Sequence, residues 1–300
     1  MAETSFMTET TIPRTFQNIR EFWDWVSEHS FHLKQTKPTV TDIYYRHLVI
    51  SQIFSLSSRK HGKVLKLDAY NEATNTQYGF YMLQKFEELT LVDISAGILK
   101  RAAERAQKKN IFNRMHFIAA DFRRLPLRDE CFDMSCSFGS IEHVEEYQRA
   151  FYEQVRVVKK GGDVFAGVPN ISNFSFRILT MKVLMLLGLM KTITNPEKHF
   201  HRRQLKSLAE AMNLRDIVVS GYHLFPKQLR WLDLWKAQRA KNRVERGRLF
   251  QLVLKGFALM ELRHPSVRRF AEMILVKGVR ELEPGIEPRN LRDERLQITE

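Results

Sequence analysis

One stretch decides the fold of this chain, and it reads Lys63-Val64-Leu65-Lys66-Leu67-Asp68-Ala69-Tyr70-Asn71-Glu72. Its apolar beginning is typical of a buried strand, and its second half is typical of a turn that leads into a helix. Downstream, a second apolar strand ends with an acid in Leu89-Thr90-Leu91-Val92-Asp93. A strand, a turn, a helix and an acid-terminated strand form the frame of a nucleotide-binding βαβ unit.

Strands and helices alternate around this unit. The predicted strands cover 63–68, 88–93, 114–119, 132–138 and 162–168, and the predicted helices cover 74–86, 96–109 and 143–158. Ser95 is placed to cap the helix that follows it. Two amphipathic helices precede the first strand, with apolar faces through Phe16, Ile19, Trp23 and Val26 and through Ile43, His47, Ile50 and Phe54. Short apolar strands separated by helices predict a mainly parallel, doubly wound sheet that is covered on both faces.

The order changes after residue 170. The pattern predicts an apolar helical segment at 172–191, a helix at 202–212, strands at 216–222 and 271–277, and a basic helical insertion at 228–262. We therefore expect an α/β fold with a seven-stranded sheet. Its parts are an N-terminal helical cap (1–60), a nucleotide-binding core (61–170), the remaining strands with their basic insertions in the same domain (171–283), and a flexible tail (284–300).

Charge and cysteine content limit the class of protein. The net charge is +14, and residues 201–280 carry 18 basic against 6 acidic side chains. The two cysteines, Cys131 and Cys136, are interpreted as buried free thiols in a reducing cytoplasm. No secretory signal is visible, and the most apolar window, 183–190, is far shorter than the ~20 residues that cross a bilayer. The sequence thus predicts a cytoplasmic protein, with contact at a membrane surface left open.

Several motifs, taken in order, resemble those of class I S-adenosylmethionine-dependent methyltransferases. Asp93 stands where that family binds the ribose hydroxyls, and Asp121-Phe122 matches the pair that meets adenine. The stretches at 125–133 and 137–144 resemble the family's approach to strand four and its continuation. The resemblance implies a Rossmann-like methyltransferase fold, S-adenosylmethionine as cofactor, and a cofactor site formed by Asp68, Asp93, Ile94, Asp121, Phe122 and Phe138.

The same comparison exposes one departure. The family ends its first strand with an acid and then places glycines at alternate positions, whereas this chain has no glycine between Gly62 and Gly79. Lys66 occupies the place of the acid, and the glycine places hold Asp68, Tyr70 and Glu72. Glycine lets a ligand approach the backbone closely, so these side chains either fill the cofactor site or reshape it.

Candidates for acceptor chemistry are few. Methyl transfer depends mainly on positioning, with a base where the acceptor is a hydroxyl. His143, after the fourth strand, is the candidate base, and its alternative role is to begin a helix and pack. Tyr44, Tyr45 and His201 are candidates for contact with the substrate, and His47 is expected in the core. No metal-binding constellation is predicted.

The basic segment leaves three interpretations open. Trp231 and Trp235 lie among arginines and lysines on one helical stretch within 228–250. A solvated basic face with buried tryptophans is favoured, followed by a membrane surface or lipid-linked acceptor, with nucleic acid last.

Two functions therefore compete at this stage. One is a methyltransferase that acts on a small-molecule, lipid-linked or glycan-linked acceptor through a modified pocket. The other is a catalytically inactive protein of the same fold that works as a binding or scaffold subunit, with an active paralogue, a second copy or a membrane as partner.

Overall fold

The computed structural model describes residues 18–35, 37–173, 183, 186, 197–226, 229–230, 233–234 and 248–281. Its core is one seven-stranded sheet. The strands are β1 (Lys63–Leu67), β2 (Glu88–Asp93), β3 (Met115–Ala119), β4 (Phe132–Phe138), β5 (Val158–Pro169), β6 (Leu214–Tyr222) and β7 (Met273–Arg280). They lie in the order β3-β2-β1-β4-β5-β7-β6.

Helices cover this sheet. They are α1 (Ile19–His29), α2 (Phe31–Lys34), α3 (Val40–Leu56), α4 (Tyr70–Ala73), α5 (Tyr78–Met82), α6 (Ala96–Lys108), α7 (Tyr147–Arg156), α8 (Arg202–Ala211) and α9 (Arg248–Arg263). Short 3-10 turns occupy Phe112–Arg114, Ile141–His143 and Pro265–Phe270.

The predicted α/β architecture is confirmed. Strands β1 to β5 pair in parallel, and β7 runs antiparallel to both β5 and β6. Every residue of β1 except the exposed first one is buried, and every residue of β2 except the half-buried first one is buried. This is expected for parallel strands that have helices on both faces. The β5 strand begins at Val158, earlier than predicted, and its pairing with β4 shifts register between Phe132 and Met134.

Three helix predictions need correction. Only α5 forms within the single helix expected at 74–86, and the short α4 precedes that range, because Gln77 takes a left-handed backbone conformation with φ of 55° and its amide donates to the carbonyl of Asn71. The helix expected from residue 143 begins at Tyr147, after a 3-10 turn. On α3, Ile43 and His47 are exposed, so His47 is not a core histidine. This helix is buried on two sides instead, by the sheet and by α9, through Tyr44, Tyr45, Leu48, Val49 and Ile53.

The helix α1 is fixed against the start of α6. Gly97 permits the approach, because a Cβ atom at that position would lie 2.2 Å from the Ser27 hydroxyl oxygen. The Arg101 side chain then donates to the Ser27 carbonyl at 2.9 Å. The predicted Ser95 cap is also present, with its hydroxyl accepting from the amide of Ile98. These contacts hold α1 beside the carboxyl ends of the first strands.

The remaining predictions fall into two groups. Cys131 and Cys136 are both free thiols, but only Cys136 is buried, because Cys131 lies in the turn just before β4. The predictions for Trp231, Trp235 and the tail at 284–300 lie outside the described residues, as does the helical segment at 172–191 except for residues 172, 173, 183 and 186.

Candidate active site

The turn after β1 contains a buried ion-pair cluster that replaces the expected glycines. The Lys66 side chain is fully buried, and its ammonium lies 3.0 Å from a carboxylate oxygen of Asp68 and 3.0 Å from one of Glu72. Burial alone would lower the pKa of Lys66, but the two carboxylates outweigh it and raise that pKa, so the ammonium stays charged. The positive charge of Lys66, which stands where the family has an acid, is therefore balanced by two carboxylates of the same turn.

Glu72 points away from solvent into the core. One of its oxygens accepts from the Gly79 amide at 2.7 Å, and the other faces Lys66. Burial raises the pKa of Glu72, and the nearby ammonium opposes that shift. The residue therefore ties α4 to α5 and leaves the space beside the turn open.

Asp68 takes the backbone conformation for which glycine is usually selected. Its φ is 72°, and its amide donates to the Val92 carbonyl at 2.8 Å. The side chain is held by Lys66 and by the Ser140 hydroxyl, which donates to the second carboxylate oxygen. Because 15% of this side chain is accessible, its carboxylate still faces the neighbouring cavity.

Tyr70 leans toward the N-terminal helices. Its hydroxyl lies 3.1 Å from the Ser30 hydroxyl, and its ring packs edge-on against Trp23 with centroids 6.2 Å apart. The ring forms one wall of the cavity. Three residues occupy the glycine places. Glu72 is turned into the core, Tyr70 forms a wall of the cavity, and Asp68 presents a carboxylate to it. The turn therefore reshapes the site without filling it.

A cavity of about 410 Å³ opens at the carboxyl ends of the parallel strands, where ligands bind in folds of this type. Its size is in the range of ligand-binding pockets. All of the residues predicted for the cofactor line it, namely Asp68, Asp93, Ile94, Asp121, Phe122 and Phe138. The structure thus brings together side chains that are separated by up to 70 positions in the sequence.

Asp93 joins the two turns that border the cavity. One oxygen accepts from the Ala69 amide at 2.8 Å and the other from the Ser95 amide at 2.9 Å. Burial raises the pKa of Asp93 to about 7, and the Asp68 carboxylate adds to this rise although both amides and Lys66 oppose it. Asp93 can therefore change its charge near neutral pH.

Asp121 and Phe122 follow β3. Burial would raise the pKa of Asp121, but the Arg123 side chain and amide donate to it and lower that pKa overall. Arg123 also pairs with Glu146 at 2.8 Å. Phe122 packs against the apolar clusters on one side of the sheet and remains at the cavity wall.

The other end of the cavity is aromatic. Trp23 and Phe22 of α1 line it together with His143, and the rings of Trp23 and His143 meet edge to face with centroids 5.6 Å apart. Glu197 and Val144 also line the cavity. The predicted base is thus at the cavity.

The predicted substrate residues are elsewhere. The Tyr44 hydroxyl donates to Glu261 at 2.9 Å, and the Tyr45 ring stacks on His223 at 3.6 Å between centroids. Both tyrosines are buried between α3 and α9, and His201 is exposed at the start of α8. None of the three lines the cavity.

Sequence reasoning missed two parts of the site. The apolar spacing of α1 accounts for Trp23 only as part of a helix face, although a tryptophan on such a face can also cover a pocket. The Lys66–Glu72 pair was interpreted as two separate departures. The signal that could have joined them is that a new cation and a new anion appear in the same short turn.

Over the described ranges, no group of three or more histidine, cysteine or acidic side chains is placed to hold a metal ion. None of the helices within those ranges combines the length and apolar character needed to cross a bilayer.

Comparison with known proteins agrees with this geometry. Residues 74–166 match the methyltransferase domain family model. The matched segment begins just after the turn that holds Asp68, Tyr70 and Glu72. A Brucella canis protein named ubiquinone/menaquinone biosynthesis C-methyltransferase UbiE is 34% identical over 74 residues, which cover 25% of this chain and 28% of that protein. The protein of the same name from Stutzerimonas stutzeri is 25% identical over 164 residues, covering 53% of this chain and 61% of the relative.

A solved structure extends the likeness of fold. A Haemonchus contortus N-methyltransferase in complex with phosphomonomethylethanolamine and S-adenosylhomocysteine superposes with a TM-score of 0.57 at 13% identity, over 89% of this chain and 61% of that one. The matched family model, the sheet order and the cavity at the strand ends agree with one another. Residues 74–166 match the methyltransferase domain family, and the fold is that of the class I S-adenosylmethionine-dependent methyltransferases.

Proposed function

We propose that this protein transfers a methyl group from S-adenosylmethionine to a small, apolar acceptor. One observation carries the proposal: the six residues that the family resemblance implies for cofactor binding line a single cavity, and His143 lines it too. The matched methyltransferase segment, from residue 74 to residue 166, supports the same activity.

The residues present fit the cofactor. S-adenosylmethionine supplies a methyl group on a sulfonium and also carries an ammonium and a carboxylate. Asp93 would accept from the ribose hydroxyls, and Ile94, Phe122 and Phe138 offer apolar surface to the base and the methionine chain. Carboxylates on the cavity wall favour a ligand with cationic groups.

Asp68 takes over the part of the acid that Lys66 has replaced. It is the accessible member of the buried cluster, and its carboxylate is oriented by Lys66 and Ser140. A carboxylate fixed in this way would bind the methionine ammonium without first having to be ordered. The reversed charge at the end of β1 is thereby compatible with an ordinary cofactor.

The aromatic end of the cavity suits the acceptor. Trp23, Phe22 and Tyr70 provide flat apolar surfaces, and His143 stands beside them as a proton acceptor. We propose a planar ring with a hydroxyl or an activated carbon as acceptor, in free or lipid-linked form. The quinone pathway named for the matched relatives supports this class.

Binding of the cofactor can be measured by calorimetry with S-adenosylmethionine and S-adenosylhomocysteine. We expect both to bind the native protein, and Asp68→Asn to weaken both at least about tenfold by removing the partner of the ammonium that the two ligands share. Asp93→Ala is expected to weaken both ligands. Glu104→Gln, an exposed acid on α6, is the matched control and should bind as the native protein does. No heat of binding for the native protein at millimolar ligand would contradict the proposal.

The proposed acceptor site at the aromatic end of the cavity can be tested with a planar hydroquinone as probe. Trp23→Ala should weaken binding of this probe much more than binding of S-adenosylhomocysteine, because Trp23 lines the aromatic end. Trp25→Ala removes a tryptophan of the same helix that stacks on His29 and does not line the cavity. Equal losses in the two variants would argue against an acceptor site at Trp23.

The alternative function, a catalytically inactive scaffold, is motivated by the side chains that stand where the family has glycines. It expects the native chain to bind no cofactor until glycine is restored. The structure limits how this can be tested, because Glu72→Gly would remove a partner of the buried Lys66. Tyr70→Gly leaves the ion pairs in place, so a gain of cofactor binding in that variant alone would favour the scaffold over the enzyme.

A further inference from the structure

The helix α9 carries large apolar side chains on its solvent side. Leu249, Leu252 and Leu259 are 75%, 64% and 50% exposed, and Val253, Met260 and Leu262 are also exposed. A single exposed leucine is ordinary, but several on one helix mark a surface that meets another apolar phase.

A neighbouring side of α9 fixes the helix to the domain. Its residues Phe250, Leu254 and Phe257 pack with Tyr44 and Phe225. The buried Glu261 accepts from the Tyr44 hydroxyl and from the amides of His223 and Leu224. At about 100° per residue, positions 249, 252, 253, 256 and 260 fall together on one stripe, which lies beside the core-facing side and about 110° around the helix from it. We call these five positions the α9 outer face.

The charge around the outer face has one sign. Residues 248–270 contain five lysines and arginines and a single acid, Glu261, which is fully buried. Lys255, Arg263 and Arg269 are exposed. In this described stretch, therefore, cations are displayed to solvent and no carboxylate is.

We propose that α9 lies flat on an anionic lipid bilayer, with its outer face in the boundary between headgroups and acyl chains. An apolar face with cationic neighbours is the pattern of helices that rest in a membrane interface. Its described part has 16 residues and packs against the domain along one side, so the helix would lie in the plane of the surface and not across the bilayer. The cations would meet lipid phosphates, whereas a second copy of this basic surface would bring like charges together.

Gly256 offers a matched pair of variants for the test. It lies in the middle of the outer face, and an added Cβ would meet nothing within 4 Å. Leucine and glutamate have similar helix propensities, so Gly256→Leu and Gly256→Glu should stabilise α9 alike. Only their affinity for lipid should differ.

The assay is co-sedimentation of the whole protein with vesicles of phosphatidylcholine and phosphatidylglycerol, and with vesicles of phosphatidylcholine alone. We expect binding to the anionic vesicles that falls with added salt. Gly256→Leu should tighten it by roughly tenfold, as for one newly buried leucine side chain, and Gly256→Glu should weaken it. Leu252→Glu should weaken it as well. Val218→Glu, at an apolar position 41% exposed on the edge strand β6, is the control and should not change it.

Three results would overturn the proposal. The first is equal vesicle binding by the two Gly256 variants. The second is native protein that ignores vesicles but forms a dimer which Leu252→Glu dissociates in sedimentation experiments, because the occupant is then a second copy. The third is a large loss of thermal stability in Leu252→Glu with vesicle binding unchanged, which would mean that the chain itself covers this face.

Discussion

Lys66 is the residue on which the rebuilt turn depends. Its ammonium is fully buried between the carboxylates of Asp68 and Glu72, and removing one partner of a buried pair leaves charge without compensation. We expect Lys66→Met to lower the free energy of unfolding by about 3–5 kcal/mol, as measured by urea denaturation.

The double variant Lys66→Met/Glu72→Gln is the matched control for that loss. Its glutamine can still accept from the Gly79 amide, and the fully buried carboxylate is gone, while Asp68 keeps its hydrogen bond from Ser140 and its partial exposure. We expect it to recover much of the stability. A double variant as unstable as the single one would show that packing of the lysine stem, and not its charge, stabilises the turn.

Because the pKa of Asp93 is raised, we expect both ligand binding and stability to depend on pH. Its folded-state pKa of about 7 lies above the ordinary value of 3.8, because the carboxyl is buried. The corresponding contribution to stability is therefore complete below about pH 4 and is lost as pH rises through about 7. Cofactor affinity should move the other way, since the ionised carboxylate is the better acceptor for ribose hydroxyls.

Calorimetry of S-adenosylhomocysteine from about pH 6 to about pH 8 tests this prediction. We expect the native protein to bind more tightly at the upper end, and the Asp93→Asn variant to bind weakly with little pH dependence. A pH dependence that survives in Asp93→Asn would assign it to another group, of which His143 is the first to examine by substitution.

At the scale of elements, the contact between α1 and α6 decides the shape of the aromatic end. A Cβ at Gly97 would lie 2.2 Å from the Ser27 hydroxyl oxygen and 2.9 Å from its Cβ, so α1 has to shift if that position gains a side chain. We expect Gly97→Ala to lower the thermal midpoint and to weaken binding of the hydroquinone probe, because Trp23 moves with α1.

Gly256→Ala is the control for backbone effects. It also replaces a helical glycine, but there the new Cβ meets nothing within 4 Å. It should therefore stabilise the protein by roughly 0.5–1 kcal/mol through helix propensity. Equal stabilisation of both variants would show that Ser27 yields to the new methyl group and that the contact is loose.

At the scale of the whole molecule, the sheet and the cofactor half of the cavity follow from local patterns. Apolar strands that end in acids at normal spacing place Asp93 and Asp121 at one edge of the sheet, and no long-range information is needed for this. The rebuilt turn was not predictable, because it depends on which way the Glu72 side chain points from α4. The position of α1 could not be predicted from the sequence either, since it depends on a close contact between Ser27 and Gly97.

The cavity joins distant parts of the chain, and this has a consequence for stability. Its walls come from α1 and from the segments that follow β1, β2, β3 and β4. A ligand that binds only the folded protein at a hundred times its Kd should raise the free energy of unfolding by about 2.7 kcal/mol. We expect S-adenosylhomocysteine to do this for the native protein and not for Asp93→Ala.

Hydrogen exchange can locate that stabilisation. A cofactor held at the strand ends should slow exchange in the turns at 68–72 and 93–96, which border the cavity. It should slow exchange in α1 as well, because Trp23 and Phe22 contribute to the same walls and the helix opens more easily than the sheet. Exchange in α8, whose residues do not line the cavity, is the internal control. Protection of the turns with no change in α1 would confine the cofactor to the sheet edge and leave α1 for the acceptor alone.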